Sequence, residues 1–585
     1  MKIFFDLMWF FKQEKWKYLT GVILLMVVAL LNLVPPYIVG QVVDGIKERT
    51  LDLSFLLTRL GIILAVAVVV YILRYYWRIM IFGSAFKLGM ILRNRLYRHF
   101  TRLSPSFYHK RRIGDLMAHS TNDIEAVEGA AGDGVLTLVD SLSMGSMVVV
   151  TMALINWKLT LLALIPMPFM AWATSKYGML LHHRFDRAQA AFSDLNDKVQ
   201  ENISGVRVVK AFGQEEAEIA SFRELSDDVV RKNISVAQID SLFGPTITFI
   251  VGLSFMIAVG VGSYYVLKEE LTIGGLTSFT LYLGHLIWPM LAFGFLFNIM
   301  ERGSASYDRI TRLLEERPDV FDREGAVEEV PGGDVEVAIR RFTYPEKDSP
   351  ALQDIFFTLK QGETLGIVGK TGSGKTTLLK LFMREFDITD GEIRIGGRSI
   401  YDFTLHGLRR AFGYVPQDHF LFSATVAENI AFGKPDATRE EIEAAAKIAA
   451  IHEDILRFEN GYDTLVGERG VTLSGGQKQR ISIARAILMN PEVLILDDSL
   501  SAVDAKTEEE ILGKLSRNRA NKTTMISAHR LSAIQHADLI LVLEDGKIVE
   551  RGKHEELMAE EGWYREMYLR QQLEAEVEEG GKANG

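Results

Sequence analysis

GKTGSGKT, residues 369–376, decides how the second half of the chain is read. It fits the P-loop pattern G-x-x-x-x-G-K-S/T and stands between the strand-like TLGIV (364–368) and the helix-like TTLLKLFM (376–383). Gly369, Gly372 and Gly374, with Lys370, Thr371 and Ser373 between them, let backbone N–H groups close around phosphate oxygens. The helix opened by Lys375, Thr376 and Thr377 turns its positive end toward the same anion. Lys375 is placed to reach the β and γ phosphates, and Thr376 to ligate Mg²⁺. A glycine-rich turn before a helix can be purely structural, but the strand–loop–helix context favours a nucleotide.

Downstream, LILDDSLSAVD (494–504) runs an apolar strand into two acids, and the first, Asp497, is the expected Mg²⁺ partner. Between the two elements lies LSGGQ (473–477). Ser474, Gly475 and Gly476, followed by Gln477, open a helix with little steric bulk, either as a second anion-binding surface or as a plain N-cap. From about 335 to 572 short β-branched runs alternate with helical patterns, which predicts a largely parallel α/β sheet.

The first half is built differently. At 585 residues the chain is too long for one ordinary core, and 48% hydrophobic content beside 24% charged residues suits two unlike halves. Apolar runs near 18–40, 57–80, 134–156, 158–180, 245–267 and 275–299 predict six membrane-spanning helices. The loop after the second run holds Lys87, Arg93, Arg95, Arg98, Arg102, Lys110, Arg111 and Arg112, which places the basic loops and both termini in the cytoplasm. The two cytoplasmic connections, about 81–133 and 181–244, keep helical spacing. They read as spans continuing into the cytoplasm, with turns in RRIGDLMAHSTNDIEAVE (111–128) and VVKAFGQEEAEIASF (208–222). Residues 1–17 suit a helix on the membrane surface, 18–310 the membrane domain, 311–334 a linker, 335–572 the soluble domain and 573–585 a disordered acidic tail. The net charge of −10 argues against a nucleic-acid partner, and the lack of cysteine excludes disulfides and thiol chemistry.

GKTGSGKT, YVPQ (414–417), LSGGQ, LILDD, SAVD (501–504) and SAHRLS (527–532), in this order, resemble the ATP-binding-cassette domain. Six spans ahead of it resemble a half-size ABC exporter of the multidrug (type IV) family, and SGVRVVKAFGQEEAEIASF (204–222) is similar to that family's second coupling-helix region. The resemblance implies ATP and Mg²⁺ as cofactors and a multi-pass protein of the bacterial cell membrane with a cytoplasmic ATPase. Tyr344 would stack on adenine, Gln417 would sense Mg²⁺ and the attacking water, His529 would contact the γ-phosphate, and Asp504 would lie between two cassettes. Two cassettes sandwich ATP in this family, so a chain with one P-loop and one LSGGQ needs a second half-transporter as partner. The implied cargo is a hydrophobic drug-like molecule, with a lipid as the alternative.

Two positions depart from the family pattern. Asp498 stands where an efficient ATPase of this kind places a glutamate, and Leu465 in TLVGERG (464–470) replaces an acid, leaving Glu468 and Arg469 available. Asp498 is shorter by one C–C bond, about 1.5 Å, and a displacement of about 1 Å in a catalytic group can cost roughly a hundredfold. The expectation is a site that holds ATP and hydrolyses it poorly, in a heterodimer whose partner supplies the glutamate; a slow homodimer is the alternative. For cargo, Phe279, Tyr282, His285, Trp288, Phe293, Phe295 and Phe297 offer aromatic surface near Pro289, and Asp140 in the third span suggests a cation preference.

Overall fold

Two short helices, Lys2–Asp6 and α1 (Met8–Gln13), precede the first span, and Glu14 separates them from α2 (Lys15–Leu31). The computed structural model describes residues 2–345, 347–467, 470 and 472–583, with side chains for all of these except 293, 294 and 575–583. The chain divides into two compact units, 1–101 with 113–316 and 102–112 with 317–585.

In the first unit the first span breaks at Asn32–Leu33 and resumes as α3 (Val34–Lys47), because Pro35 and Pro36 supply no N–H to the preceding turn. Two hydroxyls of the sixth span donate to carbonyls at this break: Tyr282 to Leu33 at 2.6 Å and Ser278 to Pro36 at 2.9 Å. Helix α4 (Leu53–Phe100) has 48 residues, about 72 Å at 1.5 Å per residue, well beyond the roughly 30 Å of a bilayer's hydrocarbon. It ends before the short helix α5 (Pro105–Lys110), so the first turn lies earlier than the 111–128 expected from the sequence. The physical reason is Pro105, which starts a helix but holds Ser104 extended (φ −71°, ψ 154°).

Helix α6 (Val135–Leu164) carries a sharp turn at Asn156 (φ −159°, ψ 106°), whose side chain accepts the Leu159 N–H at 3.0 Å. The third span ends there and the fourth begins, continuing as α7 (Met167–Ser204). The second cytoplasmic turn is α8 (Val206–Phe212), closed by Gly213 at φ +60°, and the fifth span is the 53-residue α9 (Glu215–Leu267). The sixth span is split at Leu286 into α10 (Ile273–His285) and α11 (Ile287–Glu315), so helix continues past 311, where the linker was expected.

The outer ends of the first and sixth spans touch backbone to backbone. The Gly274 N–H donates to Asp44 at 2.7 Å, and a Cβ added to Gly274 would lie 1.9 Å from the Gly40 carbonyl oxygen. Small residues permit such approach in membranes, where dispersion and polar contacts hold helices together. Gly274→Val should therefore separate α3 from α10. The expected result is a lower yield of monodisperse protein by size-exclusion chromatography and an apparent melting temperature reduced by several degrees.

The second unit contains two sheets. Strands β1 (Val335–Phe342), β2 (Leu352–Leu359), β4 (Asp390–Ile395) and β5 (Arg398–Ser399) form an antiparallel sheet in the order β2-β1-β4-β5. The larger sheet takes β3 (Thr364–Gly369), β6 (Phe412–Val415), β7 (Val493–Asp497), β8 (Thr523–Ser527), β9 (Leu539–Glu544) and β10 (Lys547–Gly552) in the order β10-β9-β3-β8-β7-β6. All its pairings are parallel except β10 with β9. β7 and β8 are buried at every position, which accounts for the apolar run Val493–Leu496 that leads into Asp497. Helices α12 (Lys375–Phe382), α13 (Gly475–Leu488) and α14 (Ala505–Asn518) flank the sheet, and α15 (Trp563–Ala583) ends the chain. The tail expected to be disordered from 573 is helical through Ala583; its alanine and glutamate residues are good helix formers, and Arg570 pairs with Glu574 one turn away at 3.1 Å.

Candidate nucleotide site

The P-loop leaves the carboxyl end of β3 and the paired acids leave the carboxyl end of β7, with β8 between them. Open α/β sheets bind ligands at such edges. Gly369 sits at φ +146°, and a Cβ there would come 2.1 Å from the Leu543 carbonyl oxygen, so the loop closes against β9 only with glycine. Gly372 (φ +85°) and Gly374 (φ +104°) continue the turn, and Lys370 reaches outward to Glu544 at 2.9 Å. The Lys375 ammonium lies inside the loop, donating to the carbonyls of Gly369 (2.8 Å) and Lys370 (3.1 Å). Burial pushes it below the usual lysine range, with Asp498 and Asp497 acting the other way. A phosphate entering the loop would give this desolvated cation the counter-charge it lacks.

Thr376 Oγ1 donates to Asp497 Oδ1 at 3.1 Å and the Tyr414 hydroxyl to Asp497 Oδ2 at 3.4 Å. Asp497 is buried, which pushes its carboxyl up despite the bonds from Thr376 and Tyr414. A hydroxyl and a carboxylate, with the Gln417 amide near the second acid, are the hard oxygen donors that suit Mg²⁺ completed by phosphate. Asp498 takes a left-handed backbone, φ +48°, and its N–H is tied to the Ser527 carbonyl at 2.9 Å. Gln417 donates to its carboxylate at 3.3 Å. Asp498 and His529 line one small cavity together with Ser501, Glu508 and Arg530. Tyr344 packs edge-on against Phe386, ring centroids 5.0 Å apart, with its hydroxyl 2.9 Å from Thr377 Oγ1.

The LSGGQ residues form a separate feature. Ser474 caps α13: its Oγ accepts the Gln477 N–H at 3.3 Å while Gln477 Oε1 accepts the Ser474 N–H at 3.0 Å. Gly475 is exposed, and a Cβ on Gly476 would meet the Ala502 carbonyl at 2.9 Å. Asp504 caps α14 by accepting the Thr507 N–H at 3.0 Å. Among the described residues no hydrogen bond joins Ser474–Gln477 to the P-loop.

Residues 18–290 match the ABC transporter transmembrane region and 352–501 the ABC transporter family. The chain is 50% identical to the multidrug resistance-like ATP-binding protein MdlA of Escherichia coli (strain K12), over 99% of this chain and 98% of the relative. It is 49% identical to the probable multidrug resistance ABC transporter ATP-binding/permease protein YheI of Bacillus subtilis (strain 168), over 98% of each.

This chain is a half-size ABC exporter. The solved structure of a bacterial Atm1-family ABC exporter with ATP bound superposes on it with a TM-score of 0.78 at 28% identity, covering 95% of this chain and 99% of that one. An ATP-dependent lipid A-core flippase of Syntrophus aciditrophicus (strain SB) is 37% identical over 83% of this chain and 81% of the flippase. The exporter is thus a membrane protein with a cytoplasmic cassette that binds ATP and couples its hydrolysis to transport.

The exporter's first turning helix belongs to the cassette unit. Ser106 donates to the Asp319 carboxylate, and the Val320 N–H to Ser104 Oγ at 3.1 Å. The second, α8, has no buried residue, and Val208 (61%) and Phe212 (74%) are exposed. Leu465 is likewise exposed, at 70%, while Glu468 and Arg469 lie outside the described residues. Three residues escaped the sequence reading. Tyr414 stands within YVPQ and Gln479 within LSGGQKQR, so proximity to the motifs was the available signal. Gln479 is buried, donating to the Asp498 carbonyl at 3.4 Å and accepting the Ala502 N–H at 3.1 Å. Gln571 holds the His529 loop by donating to the His529 carbonyl (2.8 Å) and accepting the Leu531 N–H (2.9 Å), which no local pattern announces. Among the proposed aromatic cargo contacts, Phe279 and Tyr282 are packed in the core, whereas Trp288, Phe295 and Phe297 are exposed; the side chain of Phe293 lies outside the described residues.

Proposed function

We propose that this exporter moves hydrophobic or amphipathic drug-like molecules out of the cytoplasm or inner leaflet as one half of an asymmetric pair. Its own P-loop holds ATP with Mg²⁺ at Thr376 and Asp497, Gln417 reporting on the ion and His529 on the γ-phosphate. Its Ser474–Gln477 edge closes the active site of a partner that carries a glutamate. The observation that carries this reading is Asp498: a short acid, whose carboxylate among the described residues accepts a hydrogen bond from Gln417 alone, stands where water activation needs reach. The complete Ser474–Gln477 cap supports the other half of the division, since it presents an intact helix N-terminus that, among the described residues, has no hydrogen bond to the P-loop of its own chain. The sequence further resembles BmrC, a subunit of the heterodimeric bacterial multidrug exporter BmrCD, and the relatives named for multidrug resistance favour drug cargo. The flippase relative keeps a lipid as the second reading.

Magnesium, when bound, neutralises charge on the β and γ phosphates. The chain's residues then position and orient: Lys375 binds phosphate, Tyr344 offers a ring to the base, and Asp504 sits where two cassettes meet. The test is ATPase of the purified exporter alone and mixed with a co-purifying half-transporter. Slow turnover alone and a large rise on mixing are expected. Full turnover by the chain alone, abolished by Asp498→Asn, would remove the asymmetric reading. Export of a cationic dye into inverted vesicles, compared between wild type and Asp140→Asn, tests the cation preference within the same assay.

A further inference from the structure

Where α1 meets α2 the backbone turns at Glu14 (φ −102°, ψ 23°), and a groove of about 420 Å³ opens at this corner. Phe11, Lys15, Trp16, Tyr18, Leu19 and Val22 line it. One wall is fixed: Tyr18 is buried, its hydroxyl donates to the Ala131 carbonyl at 3.1 Å, and Phe11 meets its ring edge-on at 4.8 Å. The other wall is open, with Trp16 70% and Leu19 51% exposed.

Charge at the corner is one-sided. Glu14 is buried and its carboxylate is already taken, by Lys17 at 2.8 Å and by Lys87. The hydrogen bonds from Lys17 and Lys87 prevail over burial, so Glu14 stays ionised and offsets one unit of charge from those two lysines. Lys12 and Lys15 are exposed, and among the described residues no carboxylate pairs with either. Lys15 instead stands 5.6 Å from the centroid of the Trp16 ring.

The groove lies where the first span enters the bilayer from the cytoplasm, the depth at which tryptophan settles between headgroups and chains. Shape and charge together select one occupant. An acyl chain fits along Trp16, Leu19 and Val22, and a headgroup carrying net negative charge fits over Lys15 with Lys12 on the adjoining helix. A zwitterionic lipid offers the same chain, but its own cation opposes the two lysines. We propose that this corner is a binding site for one anionic phospholipid of the cytoplasmic leaflet, held as a bound lipid rather than as cargo. The inference is independent of which half of the pair hydrolyses ATP.

Native mass spectrometry of the purified full-length exporter, titrated with phosphatidylglycerol or with phosphatidylcholine of identical chains, tests it. Wild type should retain phosphatidylglycerol in preference. Lys12→Gln with Lys15→Gln should weaken that lipid by about 25-fold, roughly fivefold per surface cation, and leave phosphatidylcholine unchanged. Lys12→Arg with Lys15→Arg should restore the preference, and Trp16→Ala should weaken both lipids. Glycerol phosphate, which has the charge and no chain, should not bind. Equal retention of the two lipids, a glutamine variant with unaltered preference, or glycerol phosphate binding as tightly as the lipid would each overturn the proposal. All substitutions are at exposed positions, and unchanged thermal unfolding of each variant confirms that the comparison is made on folded protein.

Discussion

Asp498→Glu should raise ATP turnover at the exporter's own P-loop by about 10- to 100-fold while leaving ATP affinity within about twofold of wild type. The added methylene extends the carboxylate by about 1.5 Å, the shortfall that the proposed function assigns to the aspartate as a general base. A deficit of that size is worth roughly a hundredfold, or about 2.7 kcal/mol of barrier. Affinity should hold because the groups proposed to hold phosphate and Mg²⁺, Lys375, Thr376 and Asp497, are bonded independently of the Asp498 side chain. The backbone moderates the gain. Asp498 occupies a left-handed conformation at φ +48°, which aspartate tolerates better than glutamate, so part of the benefit is offset by strain. Gln417 donates to the present carboxylate at 3.3 Å and must rearrange around a longer one. Steady-state phosphate release, with nucleotide binding measured separately, checks both halves of the expectation, and Asp498→Asn serves as the control that removes the base without changing length. Unchanged turnover in Asp498→Glu would mean that reach is not what limits this site.

The nucleotide motifs were legible because their chemistry is local. A P-loop needs its glycines, lysine and threonine at fixed offsets after a strand, and residues 364–376 satisfy that pattern before any fold is known. The apolar runs were legible for a related reason, since burial in lipid demands such length. Five of the described helices are long and apolar enough to cross a membrane, the fourth run being divided between α6 and α7. The tight turn after the third fell at Asn156, where the apolar pattern pauses. What was not legible depends on pairing across the chain. The clamp of Gln571 on the His529 loop spans 42 residues, and the strut from Gln479 to the Asp498 carbonyl spans 19. The first cytoplasmic turn was misplaced because helical spacing in RNRLYRHFTRLSPSFY outweighed the one residue, Pro105, that ends such a helix. Aromatic content likewise could not separate Phe279 and Tyr282, packed against neighbouring helices, from Trp288 and Phe297, which are exposed.

Asp123→Ala should lower the apparent melting temperature of the exporter by about 2–4 °C, the shift expected when a unit of about 300 residues loses about 2 kcal/mol. Asp123 is 7% exposed and closes a network between the helix that follows the first turn and α11. Its carboxylate accepts Ser306 Oγ at 2.9 Å and Arg309 Nε at 3.0 Å, with a second bond from the same guanidinium, and His119 Nδ1 lies 2.7 Å away. Removing the carboxylate takes away the acceptor of the Ser306 hydroxyl, which is 1% exposed and keeps the bond it accepts from Arg309 at 2.9 Å, and leaves Arg309 without its counter-ion. An orphaned buried polar group costs about 1–3 kcal/mol, and the lower part of that range applies to Arg309 because its side chain is 45% exposed and can turn to water. The pH dependence has a definite sign. Burial works to raise the Asp123 pKa, but the bonds from Arg309, His119 and Ser306 outweigh it and hold the carboxyl below the usual range. Its stabilisation is therefore complete above the unfolded value of about 3.9 and is lost as the pH falls through the lower folded value. At neutral pH Asp123→Asn should reproduce part of the acid effect, since it keeps the volume and loses the charge. A cycle with Arg309→Ala separates the pair from simple packing: the two substitutions should be strongly non-additive, each removing the same bonds. Additive losses would show that Asp123 and Arg309 contribute through unrelated contacts, and that the end of the sixth span is held by something other than this charge.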